Sequence, residues 1–425
     1  MRIAYLCADR GIPVWGTKGA SIHVRSVAQS LSERGHQVDV LAMRAGEEPP
    51  TGFEPRTFEV PFDRTLKSLR RSIEDTPDRT LSNELYSLLL NSSIHDGLVA
   101  LEEEAEIEAI YERYSLWSIA GLRFARSRQI PFLLEVNAPL VEEQETYRQL
   151  RLREAAEGIE RFLFQEADAI FVPSEELEQY IVSRVGDRRR LYVTPNGVDV
   201  ARFAGGRGAD VGGDSPGVDR FDVAFVGSLK PWHGVGVLLR AFERVREAIP
   251  GARLLIVGDG PGRPEVEQSR ARFGEEAVLL AGAVPHSEIP LWLERADVGV
   301  APYPELEDFY FSPLKVVEYM AAGLPVVASS VGQLRDLVQD GKTGLLVRPG
   351  DAESLASALV SLAEDRRLRL RMGRRARERA ERRHDWSRVT DRIEKVLAHL
   401  HRGSAPGLGE AGDGFEGQML NGGLR

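Results

Sequence analysis

The 425-residue sequence contains one cysteine, Cys7, which lies in an apolar run of strand length. One thiol cannot form an internal disulfide, so the fold has to rest on buried apolar area instead of a disulfide framework. A lone cysteine in such a run is most simply a buried structural thiol. We therefore expect a protein of a reducing compartment.

Long apolar segments are also missing. The N-terminal sequence MRIAYLCADRG has an apolar core too short for a signal peptide, and no run approaches the roughly 18 residues that a membrane-spanning helix needs. The sequence therefore predicts a cytoplasmic protein. A small basic cluster gives an alternative, a peripheral contact with the inner face of the membrane. A solvated basic surface is the simpler interpretation of this cluster. The cluster consists of Arg64, Lys67, Arg70 and Arg71.

Basic residues are too few for a general nucleic-acid binder. The chain has 55 Lys and Arg against 65 Asp and Glu, a formal net charge of −10. Nucleic-acid binders normally carry a basic surplus, so any anion site in this protein has to be local. The sequence also lacks a D-x-D motif and any His or Cys cluster with metal-ligand spacing. It predicts no metal site and no cofactor.

Apolar runs of strand length alternate with amphipathic stretches of helical length throughout the chain. This alternation is typical of an α/β fold in which helices cover a parallel sheet. The Gly- and Asp-rich segment 205–219 interrupts it and cannot form a core, so we expect two similar domains, residues 1–195 and 221–385, joined by a linker at 196–220. A helix at about 386–400 is expected to pack back on the first domain, before a disordered tail at 401–425. The predicted strands are IAYLC, QVDVLAM, IEAIY, PFLLEV, DAIFVP and LYVTP in the first half, and DVAFVG, RLLIVG, AVLLAG, DVGVAPY, PVVAS and GLLV in the second.

The segment from Phe309 to Asp351 has the features of a nucleotide-sugar pocket. Ser312 is predicted to cap a helix that has Pro313 at its first position, which places free backbone N–H groups where an anion can bind. Lys315 adds a positive charge near that helix end. Glu318, about one turn further on, is an acceptor-only group suited to a pair of vicinal hydroxyls.

Three other loops are candidates because each follows a predicted strand. In the loop 227–234, Lys230 and His233 lie beside the start of a helix predicted at 235–249, although ordinary loop charges would give the same pattern. Lys18 and Gly19 lie in a glycine loop that allows close approach to a ligand, and His23 on the helix behind it either reaches the cleft or serves packing. Glu135 and Asn137 end the strand PFLLEV, where ligands bind in open α/β sheets, with a loop-capping role equally open.

Two glycine motifs are more simply tight turns than phosphate loops. In Gly258-Asp-Gly-Pro-Gly262 the third glycine of a dinucleotide fingerprint would fall at Arg263. Gly341-Lys-Thr343 resembles the end of a phosphate loop, but its opening glycine would fall at Asp336. Neither motif therefore predicts nucleotide chemistry by itself.

Up to about Leu400 the chain resembles glycosyltransferase family 4, the glycosyl transferases group 1. The resemblance rests on PNGVD, VGDGPG, GAVPHSEIPLWLERADVGVAPY, EYMAAGLPVVAS and DGKTGLLVRPGD. It implies the GT-B architecture, in which two Rossmann-like domains face each other across a cleft. It also implies a retaining, metal-independent transfer of a sugar from a nucleotide diphosphate donor, held mainly by the second domain, to a carbohydrate or lipid-linked acceptor on the first.

The family's E-x7-E motif is only partly present. Its second Glu corresponds to Glu318, expected to bind the donor ribose, whereas its first falls on Tyr310, so the segment reads SPLK-x2-E. The family's Arg and Lys in the first loop of the second domain fall at Ser228 and His233, and its first-domain histidine falls on Asn137. The family's glycine loop matches Lys18 and Gly19, and its base-binding loop matches Val284, Pro285 and His286. The other predicted substrate-binding residues are Ser312, Leu314, Tyr310, Ser228 and His23.

We therefore predict that Lys315, Lys230 and His233 share the neutralisation of the donor diphosphate. The predicted catalytic residues are Lys315, Lys230, Asn137 and Glu135. Two alternatives remain, since Tyr310 and Asn137 replace family residues: a non-catalytic nucleotide-sugar-binding protein, and a nucleotide-sugar epimerase on the same fold.

Overall fold

The computed structural model describes residues 1–62, 64–74, 77–203, 220–306, 309–310 and 312–403. Most of the predicted linker, residues 204–219, and the predicted tail from residue 404 onward lie outside the described residues. Within them, no helix is at once long enough and apolar enough to cross a membrane.

The first domain contains a parallel sheet with the strand order β3-β2-β1-β4-β5-β6-β7. Its strands are β1 (Arg2–Cys7), β2 (Gln37–Ala42), β3 (Arg56–Glu59), β4 (Ala109–Arg113), β5 (Phe132–Glu135), β6 (Ala169–Val172) and β7 (Leu191–Val193). Its helices are α1 (Gly19–Glu33), α2 (Arg64–Glu74), α3 (Arg79–Glu104), α4 (Ala120–Arg128), α5 (Leu140–Arg148), α6 (Arg153–Glu166) and α7 (Glu175–Val185), and a 3-10 turn follows at Val200–Phe203.

The second domain contains a parallel sheet with the order β10-β9-β8-β11-β12-β13. Its strands are β8 (Phe221–Val226), β9 (Ala252–Val257), β10 (Val278–Gly282), β11 (Val298–Ala301), β12 (Val326–Ser329) and β13 (Gly344–Val347). The helices are α8 (Val235–Ala248), α9 (Arg263–Phe273), α10 (Ile289–Leu293), α11 (Leu314–Ala321), α12 (Leu334–Leu337), α13 (Ala352–Glu364), α14 (Arg366–Arg383) and α15 (Trp386–Gly403), with 3-10 turns at Pro231–His233 and His286–Glu288.

The two sheets confirm the predicted α/β fold with two Rossmann-like domains. Central strands such as β1 and β8 are buried at every position because helices cover both faces, which explains why they read as continuous apolar runs. The strand β3 was not predicted, because this short edge strand has the sequence RTFE and no apolar run. Cys7 is buried as expected, and burial raises the pKa of its thiol to about 12.

Strand order reverses direction once in each sheet, between β1 and β4 and between β8 and β11. Loops leave the carboxyl ends of the two strands at such a point in opposite directions, which opens a crevice for ligands. The structure therefore provides two crevices, one per domain.

The glycines after β8 and β9 permit two loops to touch through their backbones. Gly258 has a φ of +142°, and a Cβ atom there would lie 1.9 Å from the carbonyl oxygen of Gly227. Only glycine fits such an approach. The motif 258–262 therefore serves a tight turn that holds the loop after β8 in place.

The last helix, α15, leaves the second domain and packs on α1 of the first. Ser30 and Thr390 are joined by a 2.7 Å hydrogen bond, and Arg34 Nε donates to Glu394 at 2.6 Å. Trp386, 7% exposed, packs edge-to-face against His23, with the two ring centroids 5.1 Å apart. A Cβ atom on Gly197 would lie 2.6 Å from the Trp386 ring, so that glycine makes room for the indole.

We predict that Trp386→Ala lowers the free energy of unfolding by about 3 to 5 kcal/mol, because it leaves a cavity between α1 and α15. Urea denaturation followed by circular dichroism measures this loss. Phe162→Ala is the matched control, since this aromatic side chain is 45% exposed. Equal stability of the two variants would contradict the role assigned to Trp386.

Candidate functional site

A cleft of about 1080 Å³ lies where the two crevices meet. Its first-domain wall comes from the segments that follow β1 and β4, together with α3 and α5, and its second-domain wall from the segments that follow β8 and β11. The second-domain residues that line it are Lys230, Trp232, Glu305, Leu306 and Tyr310. The cleft thus lies at the carboxyl ends of the switch-point strands, as the fold predicts.

The start of α11 differs from the prediction. Pro313 is the N-cap and supplies no side-chain hydrogen bond, whereas Ser312 was expected to cap. The Ser312 hydroxyl instead accepts a hydrogen bond from the backbone N–H of Asn196 at 3.3 Å. The first backbone N–H groups of α11 are therefore left without a side-chain cap, which keeps the positive end of the helix dipole available to an anion.

Lys315 is 7% exposed and lies in the first turn of this helix. Its Nζ lies 4.2 Å from the centroid of the Phe225 ring and 5.5 Å from that of Tyr303. Among the described residues, this ammonium has no hydrogen-bond acceptor. Burial disfavours the charged form and lowers its pKa from 10.5 to about 7, although Glu318 opposes the shift.

The loop after β8 passes directly over Lys315. A Cβ atom on Gly227 would lie 2.8 Å from Lys315 Nζ, so this glycine leaves the ammonium open to the loop. His233 Nδ1 donates to the carbonyl oxygen of Ser228 at 2.5 Å, and the Ser228 hydroxyl lies 3.3 Å from the same nitrogen. Burial and then the Lys315 charge lower the pKa of His233 to about 4. The predicted share of His233 in neutralising the donor diphosphate stays a prediction.

Lys230 lies at the other side of this loop. It is exposed, lines the large cleft, and places its Nζ 4.7 Å from the centroid of the Trp232 ring. The structure thus separates the two predicted lysines: Lys315 is buried below the loop, and Lys230 lies on the cleft surface.

Glu318 and the predicted base-binding loop are adjacent. His286 Nε2 lies 2.7 Å from Glu318 Oε1, and Arg202 approaches the other ring nitrogen of His286 at 3.2 Å. Pro285 precedes the 3-10 turn that carries His286, and Val284 packs against the core of the second domain. Predicted ribose and base contacts are therefore brought together, although they are 32 positions apart in the chain.

A set of contacts joins the donor-side helix to the first domain. Asn196 Nδ2 donates to the carbonyl oxygen of Ser312 at 2.8 Å, and its Oδ1 lies 2.8 Å from His23 Nδ1. Gly19 lies so close to Leu314 that a Cβ atom there would be 3.3 Å from the leucine methyl. Lys18, the exposed N-cap of α1, places its Nζ 3.5 Å from the carbonyl oxygen of Gly11.

Glu135 is buried in the first domain. It is 3% exposed and accepts hydrogen bonds from Tyr111 at 2.9 Å and Arg113 at 2.6 Å, while His23 Nε2 lies 2.9 Å away. Asn137 also donates to this carboxylate. Burial alone would raise the pKa of Glu135, but His23 and Arg113 more than offset it and hold the value at about 2.

Glu135 and Asn137 lie away from the large cleft, and their predicted catalytic role stays a prediction. Side chains alternate along a strand, and Glu135 shares its face with Leu133, which packs toward α1 and α15. Both residues line a small cavity closed by Val389 and Ile393 of α15, and neither lines the large cleft. Glu135 is therefore an internal ionic centre of the first domain.

Tyr310, where the family places a glutamate, lines the large cleft. Its hydroxyl donates to Glu143 of α5, and its backbone carbonyl accepts from Ser174 at 3.4 Å. It therefore contributes to the contact between the domains.

Asn196 and Trp232 are the site residues that sequence reasoning missed. Asn196 belongs to the segment PNGVD, which was used only for the resemblance. Trp232 lies between Lys230 and His233, which drew attention for their charges. A search for polar and aromatic residues at domain boundaries would have found both. In the described ranges, no group of three or more His, Cys, Asp or Glu side chains is arranged to hold a metal ion.

Comparison with known proteins agrees with this geometry. Residues 17–202 match Glycosyltransferase Family 4, and residues 220–365 match Glycosyl transferases group 1. The chain is 36% identical over 405 residues to a phosphatidyl-myo-inositol mannosyltransferase of Mycobacterium leprae, covering 93% of this chain and 96% of the relative. It is 26% identical over 400 residues to a glycogen synthase of Mycobacterium tuberculosis, covering 91% and 92%.

Among solved structures, a sucrose-phosphate synthase from Thermosynechococcus elongatus superimposes with a TM-score of 0.71 at 23% identity, covering 95% of this chain and 99% of that one. The chain therefore belongs to glycosyltransferase family 4 and has the GT-B architecture. It is an enzyme of the hexosyltransferase class.

The lowered pKa of Lys315 predicts how stability depends on pH. Between pH 7 and 10.5 the folded state binds fewer protons than the unfolded state, so this residue makes stability rise with pH, by up to about 1.4 kcal/mol per pH unit. Lys315→Met lacks this contribution. We expect the variant to be more stable than the wild type near pH 7, with a difference that narrows at pH 8 and 9. A difference that stays constant in urea denaturation across these pH values would contradict the assignment.

Proposed function

We propose that this enzyme is a retaining, metal-independent glycosyltransferase that uses a nucleoside diphosphate sugar as donor. The observation that carries the proposal is the Lys315 ammonium, which is buried, lacks an acceptor among the described residues and lies beside an uncapped helix start. A buried charge without a partner is costly, and an incoming diphosphate would supply the missing anion.

Three neighbouring features of the second domain support a position for the donor. Its diphosphate lies between the start of α11 and the loop that contains Gly227 and Ser228. Its ribose hydroxyls bind Glu318, which exchanges its contact with His286 for them. Its base lies against the segment 284–286, next to that carboxylate.

In the reaction, the bond between the anomeric carbon and the diphosphate oxygen breaks, and the acceptor hydroxyl bonds to the same face of the sugar. The proton of that hydroxyl passes to the departing diphosphate oxygen. Lys315 and the helix start stabilise the negative charge that develops on this oxygen. Lys230, at the cleft surface, is the second cation near the leaving group, while His233 enters as a neutral ring.

The direct test is NMR of the enzyme with a panel of nucleoside diphosphate sugars and candidate acceptors in the presence of a chelator. Transfer with retained anomeric configuration supports the proposal, and inversion or dependence on added metal ions contradicts it. Conversion of the donor without an acceptor would identify an epimerase. Donor binding with no reaction at all would favour the non-catalytic alternative, which the substitutions at Tyr310 and Asn137 keep open.

Lys315→Met tests the leaving-group role. It removes the ammonium and keeps most of the side-chain volume, so transition-state stabilisation should fall by about 2 to 4 kcal/mol, which corresponds to a loss of roughly 30- to 900-fold in kcat/KM. Lys342→Met, which removes an exposed lysine from a turn, is the matched control. Turnover within a few-fold of the control would remove Lys315 from the mechanism.

Glu318→Ala tests the ribose contact. The variant loses two acceptor oxygens that face the ribose, so donor affinity should fall by about 10- to 100-fold, the equivalent of one hydrogen-bonded charged group. Isothermal titration calorimetry with the donor and with the free nucleoside diphosphate measures it. Unchanged affinity for both ligands would show that the ribose binds elsewhere.

A further inference from the structure

The first-domain wall of the large cleft presents aromatic faces and uncharged polar groups. Trp117 follows β4, and Tyr147 of α5 is 69% exposed. Tyr147 and Trp232 approach each other from the two domains, with ring centroids 6.4 Å apart. Tyr147 therefore offers an exposed aromatic face of the kind that stacks against the C–H face of a sugar ring, and Trp117, partly buried against the first-domain core, also borders the cleft. Hydroxyl and amide groups between them come from Thr80, Asn83, Ser87, Ser115, Ser118 and Gln144.

The charges of the same cleft do not favour an anionic acceptor. Five carboxylates and three cations line it, and the cations are Arg10, Arg148 and Lys230. Arg10 lies over the Tyr86 ring at 5.0 Å, and Lys230 lies over Trp232. Phosphate groups are usually held by converging Arg or Lys side chains or by a free helix start.

Side chains of the protein already cap two of the helix starts at this wall. At α3, Asp78 accepts from the N–H groups of Thr80 and Leu81. At α4, Asn91 Oδ1 accepts from the N–H groups of Ile119 and Ala120 at 2.8 and 3.0 Å.

The start of α5 has no side-chain cap. Its first turn carries two carboxylates that also line the cleft, Glu142 and Glu143. A phosphate placed there would meet like charge. Two helix starts at this wall are therefore capped, and the third lies beside carboxylates.

We propose that the acceptor is an uncharged oligosaccharide that stacks on Trp117 and Tyr147. This inference rests on the proposed function, because only a transferase has an acceptor. The cleft volume of about 1080 Å³ lies at the upper end of the range for small-ligand pockets, which fits more than one sugar ring. A phosphorylated cyclitol or a phospholipid headgroup would meet more carboxylates than cations among the residues that line the cleft.

The experiment measures binding to the full chain by saturation-transfer NMR, with and without a nucleoside diphosphate. Maltose, maltotriose and α-1,6-mannobiose are compared with maltose 1-phosphate and myo-inositol 1-phosphate. We expect a neutral sugar to bind and the added phosphate to give no gain. Tyr147→Ala should weaken neutral-sugar binding about tenfold and leave nucleoside diphosphate binding unchanged. Phe162→Ala, another exposed aromatic that lies outside the cleft wall, is the control.

Two results would overturn the proposal: tighter binding of either phosphorylated ligand than of every neutral sugar, and a Tyr147→Ala variant that behaves like the control. Both concern the acceptor side alone. Failure of the proposed function appears separately, as absent donor binding or absent transfer, because sugar binding is measured without turnover.

Discussion

The ammonium of Lys315 is buried without forming an ion pair with any described carboxylate, and the loop after β8 is arranged around it. Aromatic faces of Phe225 and Tyr303 compensate the charge only in part. Gly227 suits its position because its φ is +135° and a Cβ atom there would lie 2.8 Å from the ammonium. Burial and then the Lys315 charge lower the pKa of His233. Burial of the Lys315 amine without an ion pair costs the folded state stability, in line with its own lowered pKa.

The position of that charge relative to the first domain depends on Asn196. Its side chain holds the carbonyl oxygen of Ser312 on one side and the ring of His23 on the other. His23 in turn lies against Glu135, which is fixed by Arg113 and Tyr111. The start of the donor helix is thus tied through hydrogen bonds to the central strands of the opposite sheet, and α15 covers this connection from outside.

Much of the architecture follows from the sequence because strands buried on both faces read as apolar runs whatever their neighbours are. Twelve strands were predicted in this way, and only the edge strand β3 escaped. The position of Lys315 and Glu318 on one helix was also readable from spacing. The hydrogen bond of Ser312 and the lowered pKa of His233 could not be read from spacing. Each depends on a partner distant in the chain, which is Asn196 for the serine and Lys315, together with burial, for the histidine. Glu135 was placed at the correct end of its strand, but its burial beside Tyr111, Arg113 and His23 could not be read from one sequence, because these partners are distant in the chain.

The helix starts on the two sides of the cleft differ in their side-chain caps and in the charges beside them. On the acceptor wall, Asp78 and Asn91 occupy the N–H groups of α3 and α4, and two glutamates lie in the first turn of α5. On the donor side, α11 begins at Pro313 with no side-chain cap and with a lysine in its first turn. Negative charge is consequently stabilised on one side only. If the acceptor hydroxyl gives its proton to the departing diphosphate, negative charge develops on the donor side alone. The acceptor wall then needs no cations to stabilise it.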